Sequence, residues 1–128
     1  MKEKWTTINA PVPVGKIAQV SIAGKLGIGY ISGLISQAAD GTVLKEKNIA
    51  EQTEIVLDNL KTIVEDMGLS LDHVIKTNVF LSNMENFDRM NEVYGRYFSE
   101  ENPPARQCVE SKIWGGLLVE ISAEVILR

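Results

Sequence analysis

Residues 48–81 read NIAEQTEIVLDNLKTIVEDMGLSLDHVIKTNVFL, a stretch that contains the pattern of a complete helix followed by that of a strand. Asn48 is a residue type that caps helices, and Glu51 follows three residues later, as in a capping box. Apolar residues then recur at the three- and four-residue spacing of one helix face: Ile49, Val56, Leu60, Ile63, Val64 and Met67. Gly68 is the residue expected just beyond a helix end. The pattern predicts a helix near residues 48–67.

The strand follows the helix over residues 74–81, where side chains of two kinds alternate. One face would carry Ile75, Thr77, Val79 and Leu81, and the other Val74, Lys76, Asn78 and Phe80. Ser82 and Glu85 then have the spacing of a second capping box, which predicts a helix over roughly residues 83–98. Asn91 lies on the apolar stripe of that helix, so its amide must find partners or face a cleft.

Short apolar runs separated by Pro and Gly flank this central unit. Residues 6–10, 18–23 and 26–32 are predicted strands, and Gly24-Lys25 is the predicted turn of a hairpin. After Pro103-Pro104, two further strands are predicted over residues 106–113 and 117–127. This order of elements predicts one α+β domain over residues 1–128, a mixed sheet with two helices on one face. The second face is then left to solvent or to other subunits.

Three polar side chains stand out on the last two predicted strands. The side chains of Arg106 and Cys108 point to the same face of one predicted strand. On the next strand, Glu120 lies on the face that does not carry the apolar residues. We expect these three residues to form a cluster on one face of the sheet. Arginine is suited to bidentate binding of a carboxylate, and a nearby glutamate could polarise a water molecule. The alternative is a structural Arg–Glu salt bridge between two neighbouring strands.

Composition excludes several classes of function. The chain has 128 residues, a formal net charge of −4 and a single cysteine, Cys108, which fits a reducing, cytoplasmic environment. No apolar run is long enough to span a bilayer, and the acidic balance predicts no nucleic-acid partner. His73 is the only histidine and has no ligand cluster beside it, so we expect no metal site. The glycines of residues 27–33 do not have the spacing of a dinucleotide-binding loop.

Several motifs resemble the YjgF/RidA family. The C-terminal signature Pro104-Ala105-Arg106-Gln107-Cys108-Val109-Glu110, followed by Val119-Glu120-Ile121, matches that family. So do Asn9-Ala10-Pro11, Ile31-Ser32-Gly33, Val74–Leu81 and the series Phe87, Asn91, Tyr94 and Phe98. The similarity runs in order from about residue 9 to residue 127.

The resemblance implies a chorismate-mutase-like fold and a homotrimer whose sheets form an inner barrel, with active sites between subunits. It implies a deaminase that hydrolyses 2-imino acids and enamines such as 2-aminoacrylate to 2-oxo acids and ammonia, without cofactor or metal. By matching position, Arg106 would bind the substrate carboxylate, and Glu120 would orient the attacking water with the Cys108 backbone carbonyl. Ser32, Gly33 and Asn91 would line the pocket.

Each of these roles has a structural alternative. Ser32-Gly33 could end a strand where a side chain would clash, and Asn91 could be a helix amide that supports a loop. Cys108 is interpreted as a buried strand residue rather than a nucleophile, because the sequence pairs no base with it.

Two positions depart from the family pattern. Ile17 stands where the family's deaminases usually have a tyrosine, and Ile113-Trp114 replaces Leu-Pro in a loop that is one residue shorter. These changes motivate a second hypothesis, a non-catalytic sensor or interaction protein that binds small carboxylates. A third hypothesis, an endoribonuclease or translation inhibitor, is disfavoured by the acidic chain.

Overall fold

The central helix and strand form as their patterns predict, and the remaining elements assemble around them. A computed structural model describes residues 1–128. Its strands are β1 (Glu3–Trp5), β2 (Val20–Ala23), β3 (Ile28–Leu34), β4 (Val74–Leu81), β5 (Ala105–Glu110) and β6 (Val119–Ile126). Its helices are α1 (Ile49–Asp66) and α2 (Phe87–Tyr94). The capping box of α1 is present, since the Asn48 side chain accepts from the Glu51 N–H and the Glu51 carboxylate accepts from the Asn48 N–H.

The six strands form one mixed sheet in the order β1-β2-β3-β6-β4-β5. All neighbouring pairs are antiparallel except β4 and β5, which are parallel and joined through α2. Helix α1 packs across β3 and β6, and α2 packs against α1. The prediction of a mixed sheet with two helices on one face is therefore confirmed. We call the side away from the helices the open face.

One hydrophobic core lies between the sheet and the helices. Its 19 buried residues include Val56, Leu60 and Ile63 from α1, facing Val119, Ile121, Ala123 and Val125 of β6. The alternation predicted for β6 is confirmed, because its even-numbered residues lie between the buried ones and face the open side. Burial of these apolar side chains fixes the register of β6, and this register places Glu120 on the open face.

The predicted strand over residues 6–10 is wrong, because β1 ends at Trp5. The Gln19 side chain accepts a hydrogen bond from the Thr7 N–H and donates to the carbonyls of Thr7, Ala10 and Pro11. A side chain thus satisfies backbone groups that would otherwise need a partner strand. The hairpin between β2 and β3 is present, but a 3-10 turn over Gly24–Leu26 replaces the predicted tight turn.

Two other local predictions are wrong in detail. The register of β4 against β6 shifts between Val74 and Lys76, so Val74 is buried and Ile75 is exposed, the reverse of the simple alternation. The second helix is shorter than predicted: a 3-10 turn over Met84–Asn86 precedes α2, which ends at Tyr94. The capping box of Ser82 is not formed; Asn83 accepts the Glu85 N–H, while the Ser82 N–H bonds to Leu118 of the neighbouring loop.

Candidate functional site

Glu120 lies at a cavity on the open face of the sheet, which we call the glutamate pocket. The cavity has a volume of about 620 Å³. The residues that line it come from the segment before β2, from β3 and its following loop, and from the turn before β6: Pro11, Pro13, Val14, Ile17, Gln19, Ser32, Gly33, Leu34, Ile35, Gln37, Trp114 and Glu120. Three of the predicted site residues, Ser32, Gly33 and Glu120, are therefore brought together.

Strand β3 approaches Glu120 closely at Gly33. Pairing between β3 and β6 shifts register between Ile31 and Leu34, and Ser32 and Gly33 lie within this irregularity. A Cβ added at Gly33 would be 2.9 Å from the Glu120 Cδ and would overlap the carboxylate itself. The Ser32 hydroxyl donates to the Ala18 carbonyl at 2.6 Å, so towards any ligand it can act as an acceptor.

The Glu120 carboxyl group is half-buried, and burial raises its pKa above the usual value of about 4.5. The only ion pair of the chain joins Arg96 to Glu92, so no cation of the same chain compensates Glu120. A carboxylate in such a place is a better proton acceptor than an exposed one, because its ionised form is less stabilised by water.

Arg106 occupies a second site, the arginine cluster, formed with Phe87, Asn91 and Tyr94 of α2. Its guanidinium lies 4.6 Å from the Tyr94 ring centroid and 5.5 Å from that of Phe87. Its Nη1 donates to the Asn91 Oδ1 at 2.7 Å. Tyr94 is itself fixed by a 2.7 Å hydrogen bond with the buried Thr77. The aromatic faces and the amide orient the guanidinium and leave further N–H groups for a ligand.

The predicted cluster of Arg106, Cys108 and Glu120 on one face of the sheet is wrong. Arg106 pairs with the buried Thr77 and lies under α2, on the helix-covered face, whereas Glu120 is on the open face. Strand β4 also lies between β5 and β6, so the alternative of a salt bridge between neighbouring strands is excluded as well. Within one chain the arginine cluster and the glutamate pocket are separate.

Cys108 shares the face of Arg106, and burial raises the pKa of its thiol, while the nearby Arg106 charge partly opposes this. A raised pKa disfavours the thiolate, which agrees with the interpretation of Cys108 as a structural residue rather than a nucleophile.

The backbone of Cys108 has hydrogen-bonding groups that its neighbouring strand does not use. The Ser111 N–H bonds to Leu81 of β4, so by alternation the N–H and C=O of Cys108 point away from β4, along the free edge of the sheet.

Against models of protein families, residues 7–127 match the family described as Endoribonuclease L-PSP. The chain belongs to this family, the YjgF/RidA family. Among its relatives, a RutC family protein of Pyrococcus horikoshii is 42% identical over 96% of both chains. The crystal structure of RidA from the Antarctic bacterium Psychrobacter sp. is 34% identical, with a TM-score of 0.87 over 97% of this chain and 98% of that one. Escherichia coli TdcF, solved with bound serine, is 29% identical, with a TM-score of 0.85 over 97% and 98% of the two chains.

The RidA fold of this chain contains no group of three or more His, Cys, Asp or Glu side chains arranged to bind a metal ion. None of its helices combines the length and apolar character needed to cross a membrane.

Sequence reasoning missed two features of this RidA family member. Gln19 is 2% exposed and fixes the Pro11 side of the glutamate pocket through the hydrogen bonds described above. The sequence signal for Gln19 was an amide within the predicted strand over residues 18–23, where a buried amide needs hydrogen-bond partners. Phe87 and Tyr94 were identified as part of a family motif, and their contact with Arg106 joins elements distant in sequence and has no local signal.

Proposed function

We propose that this protein is a deaminase of 2-imino acids. The reaction is the hydrolysis of a protonated imine, in which R–C(=NH2+)–COO− and water give R–CO–COO− and NH4+. An enamine such as 2-aminoacrylate enters the reaction after tautomerising to the imine. The protonated imine is already electrophilic, so the protein has to bind the carboxylate and deliver an oriented water molecule.

The observation that carries the proposal is the fixed guanidinium of Arg106. One of its nitrogens is bonded to Asn91, and its plane packs near Tyr94, while its other N–H groups are free for a carboxylate. A carboxylate bound in this way would make charge-assisted hydrogen bonds, which are about twice as strong as neutral ones. In this proposal Asn91 positions Arg106 for the substrate.

Glu120 would supply the proton transfer. Its carboxylate accepts a proton from water as the oxygen adds to C2 of the imine, and the same proton is passed to the nitrogen, which leaves as ammonia. The raised pKa of Glu120 suits this exchange, because it moves the carboxyl group towards the pH at which it works. The Cys108 carbonyl on the free sheet edge would accept the second hydrogen of the water molecule.

The two sites would meet between subunits. Arg106 and Cys108 lie at the β5 edge, and Glu120 lies two strands away on the opposite face, so a complete site needs Arg106 of one copy beside Glu120 of another. Tyr30, Val109 and Ile126 leave apolar surface uncovered on the open face. We infer a homotrimer in which open faces pack together and each interface contains one site.

A second candidate function is a sensor that binds a small carboxylate without turnover. The TdcF structure with bound serine favours it, because serine carries the same carboxylate group. An RNA substrate, the activity named in the family description, is disfavoured: RNA affinity comes largely from phosphate contacts of Lys and Arg, and this chain has a net charge of −4.

The test uses an amino-acid oxidase to generate the imine of alanine while semicarbazide traps what is not hydrolysed. The protein should lower the yield of semicarbazone, and Arg106→Ala should reduce this effect by at least about tenfold, since a charged hydrogen bond contributes roughly 1.5–3 kcal/mol. Arg96→Ala is the matched control, because Arg96 pairs only with Glu92 on the surface of the chain. Binding of pyruvate without any hydrolysis would favour the sensor, and full activity of Arg106→Ala would refute the mechanism.

A further inference from the structure

Part of the lining of the glutamate pocket is apolar. It includes Val14 and Ile17, from the segment before β2, and Trp114, from the turn before β6. These side chains contact little of their own chain, because Ile17 is 59% exposed and Trp114 is 69% exposed. A pocket that combines apolar side chains with a few polar groups is typical of a site that binds a small organic ligand.

The turn that presents Trp114 is ordered by specific contacts. Gly115 and Gly116 both have φ of +70°, a conformation that lets the chain reverse directly after Trp114. The Leu118 N–H that follows donates to the Oε1 of Gln52, whose Nε2 donates to the Lys47 carbonyl. Gln52 is fully buried, so the turn is attached to the start of α1. These contacts fix the backbone of the turn that carries Trp114 beside the pocket.

The pocket is also much larger than a three-carbon imino acid requires. Its volume of about 620 Å³ lies within the range of sites that bind complete small-molecule ligands, about 300–1,000 Å³. The partner copy would occupy some of this space with the arginine cluster. The space left beside Ile17 and Trp114 would be empty around a methyl group and filled by a larger side chain.

The geometry of the substrate indicates which of its groups would occupy the space beside Ile17 and Trp114. C2 of a 2-imino acid has three substituents in one plane: the carboxylate, the nitrogen and the side chain. Under the proposed function, on which this inference rests, Arg106 binds the carboxylate and Glu120 serves the nitrogen and the water. The third substituent then faces the remaining lining of the pocket, where Ile17 and Trp114 are the large exposed apolar side chains. We propose that Ile17 and Trp114 make the enzyme selective for 2-imino acids with large apolar side chains, branched aliphatic or aromatic.

The test compares the imines of leucine and phenylalanine with that of alanine, each generated by the oxidase and trapped by semicarbazide. The wild-type protein should show a kcat/KM at least about tenfold higher for the large apolar imines, since even one methylene in an apolar pocket discriminates about 10- to 200-fold. Trp114→Ala and Ile17→Ala should each lower this ratio severalfold. Leu26→Ala removes another exposed apolar residue, from the β2–β3 turn outside the pocket, and should leave the ratio unchanged.

A binding measurement gives a readout that does not depend on turnover. Calorimetry should show tighter binding of 4-methyl-2-oxopentanoate than of pyruvate, and Trp114→Ala should reduce this difference. Arg106-dependent hydrolysis with equal rates for all three imines would refute the proposed selectivity. It would still support the proposed deaminase function. A Trp114→Ala protein with an altered oligomeric mass and an unaltered ratio would assign the indole to the interface and overturn the proposal. Absence of hydrolysis of every imine would instead refute the proposed function.

Discussion

Gly33 leaves open the space that the Glu120 carboxyl group occupies. The Cβ of any other residue at position 33 would lie 2.9 Å from the Glu120 Cδ and 3.1 Å from its Cγ. The backbone of Gly33 is extended with a negative φ, so the glycine is required here by the close approach of the glutamate rather than by conformation. The two residues thus define the position of the carboxylate on the open face.

Gly33→Ala should therefore lower the activity with little change in stability. The added methyl group displaces only the flexible end of the Glu120 side chain, and alanine is compatible with this backbone, so the melting temperature should change little. The carboxylate moves away from the water that it is proposed to orient, and kcat should fall by at least about tenfold, as for other misplaced catalytic groups. Imine hydrolysis and a thermal melt measure the two effects.

The control for Gly33→Ala is the same substitution in a Glu120→Ala background. Since that background should have no activity, the comparison is made on the affinity for pyruvate. If the methyl group acts only through Glu120, it should leave this affinity unchanged in the Glu120→Ala background. An equal loss of affinity in both backgrounds would show that Gly33 acts on the site independently of the glutamate.

Glu120→Gln should stabilise the folded protein at neutral pH and abolish hydrolysis. Burial raises the Glu120 pKa, so the folded state binds this proton more tightly than the unfolded state does. The resulting stabilisation is complete below the unfolded pKa and is lost as pH rises through the folded one. The neutral glutamine avoids that loss. In denaturant melts, the free energy of unfolding of Glu120→Gln should exceed that of the wild type at pH 7. The difference should vanish below about pH 4.5, the reference pKa of the carboxyl group.

The pH profile of the wild-type rate follows from the same pKa. If ionised Glu120 is the base, kcat should rise with pH along an acid limb whose midpoint lies above about 4.5. An acid limb centred below this value, or one that persists in Glu120→Gln, would assign the base to another group.

The elements that could be predicted from the sequence are those defined by contacts within a few residues. The capping box of Asn48 and Glu51 spans three residues, and the alternation along β6 follows from its own side chains, so both predictions are confirmed. The same alternation placed Glu120 on the face away from the helices. The reversed burial of Val74 and Ile75 could not be predicted, because it arises from a register shift against β6.

The predicted cluster of Arg106, Cys108 and Glu120 is wrong because strand order depends on contacts between residues distant in sequence. Arg106 and Glu120 lie on strands consecutive in sequence, which suggests neighbours, but β4 is inserted between them and pairs with β5 in parallel. The parallel register puts Arg106 beside Thr77 on the helix-covered face. The residue types identified Arg106 and Glu120 as candidates, while the strand order separates them within one chain.

Asn91→Asp should weaken substrate binding more than Asn91→Ala does. The Asn91 Oδ1 accepts from the Arg106 Nη1 at 2.7 Å, and an aspartate there would pair with the guanidinium as an anion. The substrate carboxylate would then compete with a fixed negative charge, and KM should rise by at least about tenfold. Asn91→Ala only removes the orienting bond and should raise KM less. Steady-state kinetics of both variants test this order, and equal KM values would contradict it.

Gln19→Ala should destabilise the protein by about 2–3 kcal/mol, because it leaves buried backbone groups of Thr7 and Pro11 without partners. Denaturant unfolding measures the loss. Gln37→Ala is a milder control, since that side chain donates one hydrogen bond, to the Gly41 carbonyl. A loss no larger than that of Gln37→Ala would mean that water replaces the Gln19 contacts.

Two inactive variants should restore activity when they are assembled together. Arg106→Ala retains the glutamate pocket, and Glu120→Gln retains the arginine cluster, and the two sites lie on opposite faces of the sheet. If each active site joins Arg106 of one subunit to Glu120 of the next, random mixing in a trimer leaves about a quarter of the sites intact.

Equal amounts of the two variants, unfolded and refolded together, should regain about that fraction of the wild-type rate. Arg106→Ala refolded alone should keep at most about a tenth of the wild-type rate, and Glu120→Gln refolded alone should be inactive. If both groups served the same site from one chain, the mixture would be as inactive as its components, so recovered activity distinguishes a shared site from a site within one subunit.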